Sequence, residues 1–429
     1  MNSIIEDVFA KSLSKTMPSW LREYRAGSLE ACKALGLPNR KDEQWKYTSA
    51  RKFDAQGYSW NPKQKEPELV STSCVEVKAE DINIIFVNGI VNDALSNMTK
   101  LPKGLEIKSL EDSLDDADVR NLVLRSKDFS NGLEAQNEAL LSHGLVIKVA
   151  KNAVISDNIH LVFANQKSKT NSVFSCPKIL LICEANSEVH LRESHVGEDD
   201  FDHITSVSML VDIKQNAKAG IYKFQKLGDQ SKHLDHTKVY QARDSRLETF
   251  SFFLDGSLAR NDLQIMLQAP GAEAVFNGVY KPGAGQHIDN QTTVDHQSAH
   301  CRSSQLYKGV LLDGSRAVFN GKVLIRKDAQ QTDAQQLNNN LLLSENVEID
   351  TKPQMEIDAD DVKCAHGATV GQMDEDELFY LQSRGIRPEQ AKTMLATGYM
   401  NEAIQQISNE SVRIDFERIL KREFLNGAS

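Results

Sequence analysis

The sequence AVFNG occurs at residues 274–278 and returns unchanged at residues 317–321, an offset of 43 residues. LDGS likewise occurs at residues 254–257 and again at 312–315. A strand-and-turn unit restated at such intervals is typical of β-solenoids and β-propellers. Propeller blades carry Trp-Asp or Gly-His signatures, which are lacking here, and the solenoid is therefore favoured. Chance or shared hairpin chemistry is the alternative explanation for matches this short.

A solenoid makes a specific prediction for the two copies of AVFNG. We expect Phe276 and Phe319 to stack in register inside the coils. The Asn-Gly pairs that follow them, at residues 277–278 and 320–321, are then expected to form equivalent corners.

Short apolar runs surround the repeats, for example at residues 144–149, 178–183 and 206–213. Each run is bounded by Asn, Asp, Gly or Ser, which predicts strands without long intervening helices. We therefore predict a mainly β fold, with a β-solenoid core at residues 141–372.

Helical regions are predicted on both sides of this core. Apolar residues recur at three- and four-residue spacing through residues 18–35, and a further helix is expected around residues 113–126. The β-branched segment 82–91 with its Asn-Gly signal predicts a strand or hairpin between them. Residues 1–140 are thus predicted to be a mainly helical N-terminal region, and residues 373–429 a C-terminal helical docking region.

Composition limits the classes of function. The 429 residues carry 50 Lys and Arg against 60 Asp and Glu, a formal charge of −10 that disfavours nucleic acid as a partner. The first residues lack the pattern of a signal peptide, and no apolar run is long enough to span a membrane. We expect a cytoplasmic protein. Its six cysteines have no zinc-like spacing, and buried Cys183 is expected to be a core residue.

Three long motifs point to a family: LPNRKDEQWKYT at residues 37–48, YKGV and AVFNGK within residues 307–322, and DVKCAHGATVG at residues 361–371. Together they resemble the SufB/SufD family of iron–sulfur cluster assembly proteins, across nearly the whole chain. The order, the spacing and the intervening segments 287–290 and 295–296 are more similar to SufD-type than to SufB-type members.

The resemblance implies a right-handed parallel β-helix between two helical regions. It also implies a complex with a SufB-like paralog and a SufC-like ABC ATPase, or a homodimer when the chain is alone. In such complexes the C-terminal helices contact the ATPase, and the late strands pair with the paralog. A transient iron–sulfur cluster or iron is assigned to that interface, at the position of His366, with Cys364 beside it. Flavin is sometimes attributed to these complexes, but this sequence identifies no pocket for it.

The chemistry of the late motif agrees with that implication. Side chains alternate across a strand, so Cys364 and His366 are expected on one face, where both can reach one iron or sulfide. Thiolate and imidazole are suitable ligands for iron. The alternative is that Cys364 is a buried filler and His366 an ordinary surface histidine.

Other histidines could mimic metal sites. His296, His300 and Cys301 lie close in sequence, and His287 precedes them, but the surroundings predict turns and strands rather than a helix that would bring them together. The group His233, Asp235 and His236 is interpreted as a solvated turn.

We interpret the chain as a non-catalytic scaffold subunit. It contains no GxxxxGK[ST] nucleotide-binding loop, so hydrolysis of ATP would depend on a partner. Two alternatives stay open. One is a SufB-like subunit that itself holds the nascent cluster, and the other is a carbohydrate-active β-helix enzyme with carboxylates along one face.

Overall fold

The computed structural model describes residues 5–6, 8–10, 17–60, 75–98, 100–141, 143–167 and 172–425. Within these residues the strands are, in chain order, β1 (Ile82–Val87), β2 (Ile90–Val91), β3 (Leu105–Ser109), β4 (Gly144–Val149), β5 (Ile159–Asn165), β6 (Ser172–Ser175), β7 (Lys178–Cys183), β8 (Glu188–Gly197), β9 (Asp202–Ile213), β10 (Lys218–Lys226), β11 (Lys232–Gln241), β12 (Arg246–Phe253), β13 (Leu258–Leu267), β14 (Glu273–Tyr280), β15 (His287–His296), β16 (Arg302–Leu311), β17 (Arg316–Ile325), β18 (Thr332–Leu342), β19 (Glu348–Ile357) and β20 (Val362–Gln372).

The α-helices of the described chain flank these strands. They are α1 (Ser19–Leu35), α2 (Ala117–Arg125), α3 (Gly132–Ala139), α4 (Glu375–Ser383), α5 (Pro388–Ile404) and α6 (Glu410–Leu425). Single turns of 3₁₀ helix occur at Glu43–Trp45, Ala50–Phe53 and Glu111–Ser113. None of the helices in the described residues combines the length and apolar character that a membrane span needs.

The predicted helix at residues 18–35 is confirmed as α1, which begins after Pro18 and ends before Gly36. Gly36 has a φ of 63°, a left-handed conformation that ends a helix at little cost in glycine. Asp374 caps α4, as its carboxylate accepts from the backbone N–H groups of Asp376 and Glu377 at 2.8 and 3.2 Å.

Consecutive strands alternate between two sheets. Sheet I has the order β2-β1-β5-β8-β10-β12-β14-β16-β18-β20, and sheet II has the order β19-β17-β15-β13-β11-β9-β7-β4-β3, with β6 beside β9. The pairs β1/β2 and β3/β4 are antiparallel, whereas the successive strands of the core pair in parallel with the strand one coil later. The fold is a β-solenoid with helical regions at both ends of the chain, so the predicted mainly β class is confirmed.

The length of a coil follows from the register of sheet I. Lys218 in β10 pairs with Arg246 in β12, which pairs with Glu273 in β14, which pairs with Arg302 in β16. Those partners are 28, 27 and 29 residues apart, so the offset of 43 residues between the AVFNG copies is about one and a half coils. Phe276 consequently lies in sheet I and Phe319 in sheet II. The prediction that these rings stack in register is wrong.

The Asn-Gly pairs of the two copies were predicted at corners, and this is also wrong, because both copies lie inside strands. The glycines face the interior at places where a side chain from another strand fills the space. A Cβ on Gly278 would lie 2.6 Å from Cε1 of Tyr307. On Gly321 it would meet the amide of Gln336 even more closely. In both strands an inward Phe is followed two residues later by an inward glycine, which leaves room for the neighbouring side chain. This shared requirement explains the recurrence of AVFNG.

The real corners are marked by left-handed residues once per coil. On one side of the solenoid they are Asn152, Asn186, Asn216, Asp244, Gly271, His300 and Gln331. The side-chain amide of Asn186 donates to Asn152 Oδ1 at 2.8 Å, and that of Asn216 donates to Asn186 Oδ1 at 2.9 Å. LDGS belongs to the other side, where Gly256 and Gly314 have φ values of 106° and 68°. Its offset of 58 residues corresponds to two coils.

The helices cover the outer faces of the sheets. Buried residues of α1 and α2, such as Leu21 and Leu122, pack on sheet II side chains such as Leu180. On the opposite face, Phe416 of α6 contacts Phe224, Phe250 and Phe252 of sheet I.

The predicted domain boundaries stay predictions. The strand or hairpin expected at residues 82–91 is confirmed as β1 and β2. Both join sheet I, and β3 joins sheet II, so each sheet starts before residue 141.

Candidate functional site

The two ends of the solenoid differ. At the N-terminal end, the antiparallel strands β2 and β3 cover the first parallel strands of the two sheets. At the C-terminal end, β20 pairs only with β18 and β19 pairs only with β17 among the described residues. Two long strands of 10 and 11 residues therefore present unpaired backbone edges. Natural proteins usually block such edges or use them to bind another chain.

Cys364 and His366 lie on β20, on the side that faces the solenoid interior. Cys364 pairs in register with Ala334, and His366 pairs with Gln336. Ala334 and Gln336 are fully buried in the coil below, so alternation places both side chains of β20 over them on one face. The structure thus brings the two predicted residues together. Cys364 is partly buried and packs against the interior, and His366 is exposed because no further coil covers it.

The surroundings set the protonation of the thiol. Burial and the nearby carboxylate of Asp333 raise the pKa of Cys364. The residue is therefore a thiol at neutral pH, and binding of a metal ion there would release its proton. Beneath His366, the side-chain amide of Gln336 donates to Gln305 at 2.9 Å, and the amide of Gln305 donates to Thr292 at 2.7 Å. A polar column thus lies under the exposed imidazole.

The other sequence candidates do not form one site. His296 faces the interior, with Nε2 2.9 Å from Ser303 Oγ. His300 is an exposed corner residue with a φ of 60°, and the thiol of buried Cys301 donates to the Ala269 carbonyl. His287 lies on the outer face of sheet II beside Thr48, 3.3 Å away. In the described parts of the chain, these residues are not among the groups whose ligand atoms converge.

Five of the cysteines are free in the structure: Cys32, Cys176, Cys183, Cys301 and Cys364. Cys183 is fully buried among apolar residues, which confirms its predicted role as a core residue. Cys74 lies outside the described residues.

The interpretation of residues 233–236 as a solvated turn is wrong. These residues lie in β11, where His233 and Asp235 point into the solenoid and His236 points outward to Asp262, 3.4 Å away. All of them are buried. The spacing of two residues between His233 and Asp235 is typical of one face of a strand. Their polarity favoured a solvated turn instead.

The early motif at residues 37–48 has a structural position. The Arg260 guanidinium lies 3.7 Å from the centroid of the Trp45 ring and is fully buried. It donates to Asp289 at 2.7 Å, and the Thr48 hydroxyl donates to the same carboxylate. The motif therefore attaches the N-terminal region to the outer face of sheet II.

The C-terminal helices expose apolar side chains. Phe379, Tyr380 and Met394 are 71, 57 and 51% exposed. Several charges of α6 are instead used within the chain, as Glu423 pairs with Lys226 and Arg418 with Glu76, each at 2.6 Å.

Two family models match the sequence. "SUF system FeS cluster assembly, SufBD core domain" matches residues 163–399. "SufBD protein N-terminal region" matches residues 7–161.

Curated relatives are similar over most of their length. An iron–sulfur cluster assembly SufBD family protein of Synechocystis is 28% identical, with 94% of this chain and 90% of the relative covered. The iron–sulfur cluster assembly protein SufD of Escherichia coli is 29% identical, with 88 and 87% covered. Protein ABCI7, chloroplastic, of Arabidopsis thaliana is 27% identical, with 95 and 87% covered.

Proposed function

Because the chain belongs to the SufBD family of iron–sulfur cluster assembly proteins, we propose that it is a SufD-type scaffold subunit that completes a cluster assembly site with a paralogous chain. Its last coil supplies Cys364 and His366, and the partner supplies the remaining ligands. Iron and sulfide are the cargo of this site rather than a resident cofactor.

The proposal rests on the position of these two side chains on β20, a strand with one free edge among the described residues. A thiol and an imidazole from one chain cannot complete four-coordinate iron. A second chain that adds its own strand to β20 would bring further ligands to the same place. The incomplete ligand set suits a cluster that must be released after assembly.

The partner that supplies energy is proposed to bind elsewhere. The sequence has no phosphate-binding loop of the GxxxxGK[ST] kind, so we assign ATP hydrolysis to a SufC-like ATPase. Phe379 and Tyr380 on α4 and Met394 on α5 are exposed apolar side chains of the kind that such a contact would bury. A cytoplasmic location remains a prediction, and one relative is named as chloroplastic.

The test is cluster assembly in a reconstituted complex. The chain, its paralog and the ATPase are combined with iron and sulfide without oxygen, and the visible absorption of the cluster is followed. We expect His366→Ala to lower the rate about tenfold, as loss of a metal ligand or its support does elsewhere. Because His366 is exposed, the thermal unfolding of the variant should match the wild type.

Lys363→Ala is the matched control, since Lys363 is an exposed residue of the same strand that points to the opposite face. It should assemble clusters at the wild-type rate. Unchanged assembly by His366→Ala would refute the proposed site. A stable stoichiometric cluster on the isolated chain would instead favour a SufB-like subunit that holds the cluster alone.

A further inference from the structure

A second group of ligand-type side chains lies deep in the solenoid, and we call it the interior cluster. It consists of Glu193 on β8, Lys223 on β10, His233 and Asp235 on β11, and His195 on β8. Strands β8 and β10 belong to sheet I and β11 to sheet II, so the cluster bridges the two sheets across the interior. Each member is at most 2% exposed.

Three ligand-type side chains of the interior cluster converge. One ligand atom from each of His195, His233 and Asp235 lies within 4.8 Å of the other two. The centroids of the two imidazole rings are 4.5 Å apart. Glu193 adjoins this group, with Oε1 3.4 Å from His195 Nε2.

The imidazoles of the cluster make few polar contacts. Neither ring nitrogen of His233 has a hydrogen-bond partner among the described residues, and neither does Nδ1 of His195. Nε2 of His195 has only its 3.4 Å contact with Glu193. Buried polar atoms without hydrogen bonds destabilise the folded state, and three of them at one place require an explanation. Apolar contacts hold the rings in position instead, as Phe163 stacks on His195 at 4.5 Å and Phe253 lies edge-on to His233 at 5.9 Å.

We propose that the interior cluster binds a divalent first-row transition metal ion, Fe²⁺ or Zn²⁺, through His195, His233 and Asp235. Two imidazoles and one carboxylate are a donor set that both ions accept. Magnesium and calcium prefer oxygen ligands and suit this set poorly.

The charges around the interior cluster agree with a cation at this position. Lys223 lies 2.8 and 2.6 Å from the two oxygens of Asp235 and 3.3 Å from Glu193. One ammonium against two carboxylates leaves a net negative charge among these three groups in a buried interior. A divalent cation compensates that charge.

The carboxylate is held in position by a second contact. The hydroxyl of Thr237 donates to Asp235 Oδ1 at 2.9 Å, and Lys223 binds both oxygens. Hydrogen bonds of this kind orient metal ligands and raise affinity. The proposed ion would connect the two sheets through ligands on β8 and β11. It is separate from Cys364 and His366, which lie on β20, six strand pairings beyond β8 in sheet I.

The test is the metal content of the full chain. Protein purified from cells supplied with iron and zinc is passed over a desalting column with a weak chelator and analysed by plasma mass spectrometry. We expect about one ion per chain. His233→Gln and Asp235→Asn should lower the content at least about tenfold. His236→Gln, which changes the adjacent residue on the outer face of β11, should retain it.

A second measurement avoids dependence on how well the variants fold. The wild-type chain is refolded with Co²⁺, whose visible absorption reports nitrogen and oxygen ligands, and the spectrum should survive in His366→Ala. Wild-type protein that carries no metal after expression or refolding with Fe²⁺, Zn²⁺ or Co²⁺ would overturn the proposal, and the cluster would then be a buried ion-pair network. Metal that persists in His233→Gln, or is lost in His366→Ala, would also overturn it.

Discussion

His296 faces the interior of the solenoid, and none of its surface is exposed. Burial lowers its pKa to about 4. In the unfolded chain an imidazole titrates at about 6.5. The folded protein therefore resists the proton that the unfolded chain accepts, so the contribution of His296 to stability is complete above about pH 6.5 and is lost as the pH falls toward 4.

We predict that His296→Gln makes stability less dependent on pH in this window. The urea midpoint of the wild type should fall between about pH 7 and about pH 4.5, and His296 accounts for up to about 3 kcal/mol of that loss. The variant should fall less steeply. His300→Asn is the control, because His300 is an exposed corner residue whose left-handed backbone Asn also adopts. If the urea midpoints of His296→Gln and the wild type fell equally steeply with pH, the effect assigned to the burial of His296 would be contradicted.

The alternation of side chains along a strand was enough to predict which face a single residue occupies. It placed Cys364 and His366 on one face of a strand, and apolar neighbours identified Cys183 as a core residue. The same rule applied to His233 and Asp235 would have placed both on one face. What the sequence could not reveal is that His195, 38 residues earlier, faces them, because this depends on which coils are adjacent.

The corners are the elements that determine the length of each coil. Asn216 has a φ of 55°, and its amide donates to Asn186 of the preceding corner. A residue with a Cβ but no local hydrogen bond pays about 1 kcal/mol or more in this conformation, and glycine does not.

We predict that Asn216→Ala is less stable than Asn216→Gly by about 1 kcal/mol. Both variants remove the side-chain amide. The difference in their stability therefore reports the cost of the left-handed backbone conformation alone. The measurement is the urea midpoint of the two purified chains under identical conditions. An alanine variant as stable as the glycine variant would show that the corner relaxes out of the left-handed region.

At the element scale, prediction succeeded for local patterns and failed for the repeat. The apolar stripe of residues 18–35 and the β-branched run of residues 82–91 produce α1 and the β1/β2 hairpin because each depends on neighbouring residues alone. The two AVFNG copies gave a wrong period because strands of both sheets place alternate side chains in the interior. The same pentapeptide therefore fits either sheet. The corner series beginning with Asn152, Asn186 and Asn216, with spacings of 34 and 30 residues, is the signal of the period.

The whole molecule is a solenoid that is closed at one end and open at the other. Strands β2 and β3 cover the first coil, the helices cover both outer faces, and β19 and β20 are left with free edges within the described structure. The order of the motifs along the chain predicted which end would carry Cys364 and His366. That this end is uncovered follows only from the pairing of the last two strands.

An open edge makes a prediction about assembly. Val370 of β20 is 48% exposed and pairs with Asn340 of the coil below. A lysine on an edge strand blocks the addition of another strand, because its charge must be desolvated when the second chain packs against it. We predict that Val370→Lys lowers the recovery of the paralogous subunit in co-purification about tenfold or more, which corresponds to a loss of about 1.4 kcal/mol or more.

The fold of the variant should be unaffected, because Val370 is exposed and its replacement creates no cavity. Ile414→Lys is the matched control, since Ile414 is 46% exposed on α6 and lies away from β20. It should recover the paralog at the wild-type level. Because the same edge would serve a homodimer, Val370→Lys should also shift the isolated chain toward monomer in analytical ultracentrifugation. Undiminished pairing with the paralog would mean that the chain docks through another surface, and that Cys364 and His366 do not face a partner.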